Sequence, residues 1–328
     1  MEDDLIYHEI SGINDNAIRN SGRVMVLDKI VSDLTALRYF SGFVGYVKIG
    51  WGIPFLLKMD LIKERIMKIH SCGIEASNGG TFLESFAIKG KLESGLNAVK
   101  YMGYDIMELS EGIIDLSKRD KNIAREFSES MNMKLVMEVG KKNRNNRMSL
   151  SEIIERIEED LEYNPWMVIV EGRESGKDVG IYDGEGDIKW DWVDEILDHI
   201  PLNKVMFEAP MERQQTELII RLGNAVNLGN ISLSSIPSLA TQRFGIRGDT
   251  LGVEQHNNDF RGSPATMFVY YVIRNSLKID QSGIVKVTGL NRRTVQNSLG
   301  ELLNEGYIEE RPDTGDMRRK VYRLKAKE

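Results

Sequence analysis

Cysteine is almost absent from this chain of 328 residues, because Cys72 is the only one. A single cysteine excludes disulfide bonds within the chain and every metal cluster built from several thiolates. Such usage is typical of a reducing compartment, so we expect a cytoplasmic protein. We interpret Cys72 itself as a packing residue rather than as a nucleophile.

Long apolar runs are also missing. No segment approaches the roughly 20 consecutive apolar residues that a membrane-spanning helix needs. The first ten residues, MEDDLIYHEI, are acidic, whereas a secretory signal peptide starts with basic residues. We therefore expect neither a membrane anchor nor secretion.

Histidine and nucleotide-binding motifs are scarce. The four histidines are scattered, and none has the spacing of a zinc site. No GxGxxG occurs, and GRESGK at 172–177 lacks the Walker A spacing and is followed by Asp178. Proton transfer in this protein must therefore depend on lysines, carboxylates or water.

Acidic residues outnumber basic residues except at the C-terminal end of the chain. Residues 264–328 contain 12 Lys and Arg against 8 Asp and Glu, whereas the rest of the chain contains 31 against 42. An acidic body with a basic tail indicates two modules with different partners. The polar, aperiodic segment 253–263 predicts a linker between domains at 1–252 and 264–328.

Strand-like and helix-like segments alternate through the first domain. Eight apolar runs are candidate strands: RVMVLDK, YVKIGWG, GIEASNGGT, YDIMELSEG, KLVMEVGKK, WMVIVEGRES, KVMFEAP and AVNLGNI. Between two of them, Ser149 and Glu152 have the spacing of a capping box that starts a helix. Eight such units predict an α/β fold, a closed (β/α)8 barrel of the TIM type; a doubly wound open sheet is the alternative.

Four of these runs end in glutamate, at intervals of 30, 33 and 37 residues. The four are Glu108, Glu138, Glu171 and Glu208. In a barrel the carboxyl ends of the strands meet at one mouth, where catalytic groups lie. Any strand can end in a charged residue, because the rim of a barrel is exposed to solvent. Four glutamates at matching strand ends nevertheless favour a functional site.

The side chains expected at this mouth suit a small, multiply anionic substrate handled with a divalent metal. Carboxylates are ligands that Mg²⁺ prefers, and cations such as Lys48, Lys142, Arg173 and Arg247 could hold anions. The glycines of NGGT, Gly79 and Gly80, could offer backbone N–H groups to a phosphate, although such a pair more often marks a turn.

The second domain reads as three helices followed by a β-hairpin whose turn is PDTGD, which is the order of a winged helix-turn-helix. The residues that could contact double-stranded DNA are Arg292, Arg293, Thr294, Gln296 and Asn297 on the third helix, with Arg318 and Arg319 on the wing. Winged helices also serve as dimerisation or protein-docking modules, so this alternative stays open.

Seven ordered motifs resemble the phosphosulfolactate synthase family: VKIGWG, NGGTFLE, EVGKK, EGRESG, FEAP, VNLGNI and RGDT. The resemblance covers about residues 23–252. It implies a (β/α)8 enzyme, a C–S bond-forming lyase that adds sulfite to phosphoenolpyruvate with Mg²⁺, on a route to coenzyme M.

The resemblance also suggests roles. Lys142 would be the acid that protonates the intermediate, because alternate residues of a strand point to the same side and Lys142 is thus expected to point with Glu138. Lys141 is the fallback. The metal-site candidates are Glu108, Glu138 and Glu171. The groups expected to bind the anions are Lys48, Arg173, the Gly79 and Gly80 backbone, and Arg247.

The chain also departs from the family pattern. Ala240 follows Leu239 where the family has a glutamate, so a carboxylate is missing. Two alternatives therefore stay open: a transcriptional regulator whose barrel senses an anionic metabolite such as phosphoenolpyruvate or a sulfonate, and an enzyme of the same fold with another anionic substrate. We expect a homo-oligomer in each case.

Overall fold

Eight parallel strands form a closed barrel in sequential order, with β8 paired to β1. The computed structural model describes residues 21–141, 147–248, 250, 260, 262–274, 276, 278–313 and 319–325. The strands are β1 (Val24–Asp28), β2 (Tyr46–Ile49), β3 (Glu75–Asn78), β4 (Ile106–Ser110), β5 (Lys134–Val139), β6 (Met167–Val170), β7 (Val205–Glu208) and β8 (Asn227–Ser232). The predicted barrel and all eight predicted strands are confirmed.

Helices surround this barrel. They are α1 (Thr35–Tyr39), α2 (Met59–His70), α3 (Gly80–Ala87), α4 (Leu92–Met102), α5 (Lys118–Ser130), α6 (Leu150–Leu161), α7 (Trp190–His199), α8 (Glu212–Leu222) and α9 (Ile236–Arg243). The predicted capping box of Ser149 and Glu152 is present at the start of α6. No helix in the described ranges is both long and apolar enough to cross a membrane.

Two apolar layers stabilise the barrel. The larger lies between strands and helices, and includes Val26 and Val47 from the strands with Ile62 and Ile66 from α2. The smaller is a buried cluster inside the barrel, formed by Met25, Tyr46, Ile106, Val136, Met167, Ile169 and Met206. Because side chains alternate along a strand, the inward residues that follow this cluster lie nearer the carboxyl ends of the strands.

A small domain of three helices and three strands follows the barrel. Its elements are α10 (Pro264–Arg274), β9 (Ile279–Asp280), α11 (Gln281–Thr288), α12 (Arg292–Asn304), β10 (Ile308–Pro312) and β11 (Lys320–Leu324). The sheet has the antiparallel order β10–β11–β9. Phe260, inside the predicted linker, is buried in the core of this domain against Tyr270 and Tyr307. Arg323 of β11 forms an ion pair with Asp198 of α7.

Candidate active site

A layer of charged side chains lies directly above the inner apolar cluster. Five strands carry an inward apolar residue and, two positions later, a buried charged one. The pairs are Tyr46 and Lys48, Ile106 and Glu108, Val136 and Glu138, Ile169 and Glu171, and Met206 and Glu208. Residues two apart on a strand point to the same side. These charged side chains, which are far apart in the sequence, therefore form one cluster at the carboxyl end of the barrel.

This cluster lines a cavity of about 240 Å³ at the barrel mouth. The cavity wall also includes Leu27, Gly50, Trp51, Gly79, Gly80, Thr81, Arg173, Glu174 and Asn230. Three of these residues have left-handed backbones although they are not glycine: Trp51 (φ 58°), Arg173 (φ 53°) and Asn230 (φ 58°). Backbone strain of this kind persists where surrounding contacts enforce it and clusters at functional sites.

Lys48 occupies the centre of the charged cluster. Its Nζ donates to Glu108 Oε1 at 3.2 Å, Glu138 Oε2 at 3.3 Å and Glu208 Oε1 at 3.0 Å. Burial alone disfavours the charged ammonium, but the surrounding carboxylates outweigh burial and raise the pKa of Lys48 well above its ordinary value. Lys48 is therefore a permanently charged group at the working pH.

Burial raises the pKa of the Glu108 carboxyl to about 8. The neighbouring ammonium of Lys48 opposes that rise, while Glu138 and Glu208 add to it. Its Oε1 also accepts a hydrogen bond from the backbone N–H of Gly80 at 2.8 Å. The Glu108 carboxyl is consequently neutral at pH values below about 8.

Glu138, Glu171 and Glu208 form the carboxylate group that could share a cation. One oxygen from each lies within 4.8 Å of the other two. Glu138 accepts from the Ser110 hydroxyl at 2.9 Å, and Glu208 from the Gly172 N–H at 3.1 Å. The sequence had suggested Glu108 in place of Glu208, but Glu108 is not a member of this group.

The chemistry of this carboxylate group fits a divalent metal. One oxygen each from Glu138, Glu171 and Glu208 converges in the buried cluster. Oxygen ligands of this kind are those that a divalent ion such as Mg²⁺ prefers.

The two glycines expected to cradle phosphate have other partners. The Gly79 N–H donates to the Ile49 carbonyl at 3.0 Å, and the Gly80 N–H donates to Glu108. A Cβ added to Gly80 would lie 2.2 Å from the Cβ of Ser110. These glycines therefore let adjacent strand ends approach closely, and both still line the cavity.

The predicted cations lie in different places. Arg173 lines the cavity, and one of its Nη atoms donates to the Lys141 carbonyl at 3.1 Å. The Lys141 ammonium instead contacts Asp115 at 2.7 Å and the Glu111 carbonyl at 3.0 Å. Arg247 contacts Glu212 and Ser238 and is not among the residues that line this cavity. Lys142 lies outside the described residues.

Trp51, Glu174 and Asn230 are among the mouth residues that were not predicted from the sequence. Trp51 donates its indole N–H to Glu174, and Asn230 donates its side-chain N–H to the Arg173 carbonyl at 2.7 Å. These contacts connect the segments that follow β2 and β6 with each other and with β8. Trp51, Glu174 and Asn230 lie in the WGIPF, EGRESG and VNLGNI segments, but nothing in those segments marked them as cavity residues.

Comparison with known proteins identifies the family. The family model described as (2R)-phospho-3-sulfolactate synthase (ComA) matches residues 14–249. The phosphosulfolactate synthase of Methanocaldococcus jannaschii is 36% identical over 238 residues, which cover 70% of this chain and 94% of that protein. The chain belongs to the phosphosulfolactate synthase family. It is thus of the lyase type.

Other family members agree. The phosphosulfolactate synthase of Methanothermobacter thermautotrophicus is 34% identical over 239 residues, covering 71% of this chain and 93% of its own. That of Bacillus subtilis is 32% identical over 245 residues, covering 73% and 95%. The phosphosulfolactate synthase match spans the whole charged cluster, which favours an enzyme over the regulator considered above. The small C-terminal domain begins beyond the matched residues.

The departure at Ala240 lies beside an unusual arginine. Arg243, on the same helix, is fully buried and donates to the backbone carbonyls of Asn224 and Val226, the latter at 2.7 Å. Burial lowers the pKa of Arg243 to about 9. Carbonyl dipoles therefore stabilise this buried guanidinium.

Proposed function

We propose that the barrel adds sulfite to phosphoenolpyruvate and forms (2R)-phospho-3-sulfolactate. Membership of the phosphosulfolactate synthase family supports this reaction. The observation that carries the proposal is the buried Lys48 surrounded by glutamates at the barrel mouth. A fixed cation among carboxylates suits a reaction that must bring two anions and a metal together in one cavity.

The reaction needs one bond formed and one proton delivered. The sulfite sulfur donates an electron pair to the methylene carbon of phosphoenolpyruvate, and the carbon–carbon double bond opens toward the carboxylate. Protonation of the adjacent carbon then completes the product, which keeps the phosphate. The protein must therefore hold two mutually repelling anions together and supply one proton.

We assign these tasks to different cations. Lys48 holds its proton too tightly to be an efficient acid, so it acts as a fixed positive charge beneath the substrate. Arg173 binds an anionic oxygen of a substrate at the cavity wall. Lys142 remains our proposed proton donor, and Lys141 is the fallback, although the Asp115 contact directs the Lys141 ammonium elsewhere.

We propose Mg²⁺ as the divalent ion, held by Glu138, Glu171 and Glu208. When bound it would supply positive charge against the developing charge on the substrate carboxylate. The grouping of three buried carboxylates supports this assignment. We retain the expectations of a cytoplasmic homo-oligomer as proposals.

Glu208→Gln is expected to raise the Mg²⁺ concentration for half-maximal activity more than about tenfold, because one ligand charge is lost. Glu108→Gln is the matched control, since both glutamates contact Lys48. It should leave the Mg²⁺ requirement within about twofold. Titrating Mg²⁺ into metal-free enzyme measures both values. An equal effect in Glu108→Gln would instead place Glu108 among the ligands.

The reaction itself is tested by incubating the full chain with phosphoenolpyruvate, sulfite and Mg²⁺. We expect phosphoenolpyruvate to be consumed only when sulfite is present, with the product identified by mass spectrometry. Lys142→Ala should lower kcat far more than it weakens binding, whereas Lys141→Ala should change kcat less. Full activity in Lys142→Ala would remove the assigned proton donor but leave the reaction standing.

We further propose that the small C-terminal domain is a winged helix-turn-helix that contacts double-stranded DNA. The order of three helices, then an antiparallel hairpin joined to β9, supports this proposal. Arg292, Arg293, Gln296 and Asn297 are exposed on α12. Thr294 is instead engaged by the capping residue Asn291, whose Oδ1 accepts from its N–H and hydroxyl at 2.9 and 3.1 Å.

Acidic neighbours reduce the positive charge of the hairpin. Lys320 pairs with Glu310 at 2.5 Å, Arg311 pairs with Glu309 at 3.1 Å, and Arg323 pairs with Glu309 and Asp198. Arg319 lies 4.0 Å from Asp280, and Arg318 is outside the described residues. Most of the attraction for phosphate is therefore expected from α12.

Arg293→Ala is expected to weaken DNA binding and to lower the slope of log affinity against log salt by about one, because one phosphate contact is lost. Arg311→Ala is the matched control, since Glu309 already neutralises this arginine. Fluorescence anisotropy with duplex DNA at several salt concentrations measures both. Affinity that does not change with salt would contradict DNA binding by this domain.

A further inference from the structure

A second cavity lies beside the barrel mouth, and its own ligand is not assigned by the reaction proposed above. Its volume is about 320 Å³. It is walled by the start of α6 and by the long segment between β6 and α7. Arg173 lines both cavities, so the two are neighbours.

The walls of this second cavity are held in place by buried polar contacts. The buried Tyr182 hydroxyl donates to the Glu208 carbonyl at 2.8 Å. The side chain of Gln214, also buried, donates to the carbonyls of Gly176 and Gly186 at 2.7 and 2.9 Å. These bonds tie the β6–α7 segment to β7 and α8, so the cavity is preformed in the described part of the chain.

Cations outnumber carboxylates in its lining. Arg147, Arg173 and Lys189 line the cavity with two carboxylates, Asp178 and Asp183. Lys141 also lines it, but its ammonium contacts Asp115. Asp178 pairs with Arg147 at 2.6 Å. Asp183 accepts from the backbone N–H groups of Glu185 and Asp187, each at 2.9 Å. The cavity therefore has an excess of cations over carboxylates.

Lys189 differs from the other cations of this wall. Its half-buried ammonium has no hydrogen bond or ion pair within the described residues, and it lies 3.2 Å from the ring centroid of Trp192. Burial lowers its pKa, which the nearby Asp191, Asp183 and Asp178 oppose and Arg147 reinforces. A bound anion would give this ammonium the partner it lacks.

Apolar side chains complete the wall. Met148, Ile153, Val179 and Trp192 line the same cavity. A site with an apolar wall and a few convergent cations is the usual form of a small-molecule pocket. We propose that this cavity binds a small organic anion, whose acidic group pairs with Lys189 and whose apolar body contacts Met148, Ile153 and Val179.

The proposal is tested by calorimetric titration of the full chain with benzoate, which combines an acidic group with a flat apolar body. Benzamide has nearly the same shape without the charge. We expect benzoate to bind and benzamide to bind at least about tenfold more weakly, as loss of one half-buried ion pair predicts. Equal binding of the two would overturn the proposal, as would no binding of benzoate.

Lys189→Met should weaken benzoate binding at least about tenfold, while Lys189→Arg should retain it. Lys177→Met is the matched control, because Lys177 is an exposed lysine of the same segment that does not line the cavity. If Lys189→Met does not fold, Lys189→Gln replaces it. Benzoate binding that is unchanged in a folded variant without the charge would place the ligand elsewhere and refute the site. None of these outcomes depends on the reaction proposed for the barrel mouth.

Discussion

Lys48→Met is expected to lower kcat/KM by about 10² to 10³-fold, because a preorganised cation at the reacting centre is lost. The carboxyl groups that now contact Lys48 would then face an apolar side chain, and no fixed cation would hold the anionic substrates above them. Lys58→Met is the matched control, since Lys58 is exposed on the segment that follows the same strand. Steady-state kinetics with varied phosphoenolpyruvate and varied sulfite measures the loss.

The same variant should change how stability depends on pH. In the native protein the pKa of Glu108 is already raised from 4.5 to about 8. A carboxyl whose pKa is higher in the folded state stabilises the fold fully below its unfolded pKa, and this contribution is lost as pH rises through the folded pKa. Without Lys48 the rise is larger, so Lys48→Met should melt at a lower temperature near about pH 8 than near about pH 5.

These two readouts separate catalysis from folding. A variant that is folded at about pH 6 and inactive there shows that Lys48 acts on the substrate. A variant that keeps more than a tenth of the wild-type kcat/KM while folded would contradict the proposed role. Lys48 would then only balance the charge of the glutamates.

The barrel could be predicted because its determinants are local. Apolar runs of strand length alternate with amphipathic helices, and a glutamate two residues after an inward apolar residue points to the same side. This alternation was enough to predict that Lys48, Glu138 and Glu171 lie at the mouth of the barrel. The prediction required no knowledge of how strands distant in the sequence pair.

The detailed contacts could not be predicted, because barrel closure sets distances that sequence spacing does not encode. Spacing treats Glu108 and Glu208 alike, yet it is an oxygen of Glu208 that lies within 4.8 Å of oxygens of both Glu138 and Glu171. A glycine pair suggested free N–H groups, but the Gly80 N–H is bonded to Glu108, which is 28 residues away. Arg247 belongs to a recognisable motif, but it contacts Glu212.

Lys121→Met is expected to lower the free energy of unfolding by about 3–5 kcal/mol, because it leaves a buried carboxylate without its partner. Lys121 is buried and contacts Asp160 at 2.7 Å and Glu111 at 2.6 Å. Glu111 keeps Arg156 at 2.6 Å, so the uncompensated group is Asp160. Urea denaturation near pH 7 measures the loss from the midpoint and slope.

Removing both partners should restore much of this stability. In Lys121→Met with Asp160→Asn no charge is left buried, and replacing a buried ion pair with neutral groups is often close to neutral. A double variant as unstable as Lys121→Met would mean that packing around the lysine, rather than the charge of Asp160, determines the loss.

The pH dependence supplies an independent test of the same cause. Burial raises the pKa of Asp160 from 3.8 to about 6 even with Lys121 present. Its contribution to stability is therefore complete below pH 3.8 and is lost as pH rises through about 6. Lys121 lowers the pKa of Asp160, so its removal raises that pKa further. The deficit of Lys121→Met should therefore shrink as pH falls from 7 to about 6, below which folded Asp160 is neutral in both proteins. A deficit that stays constant from pH 7 to about pH 4 would exclude Asp160 as its origin.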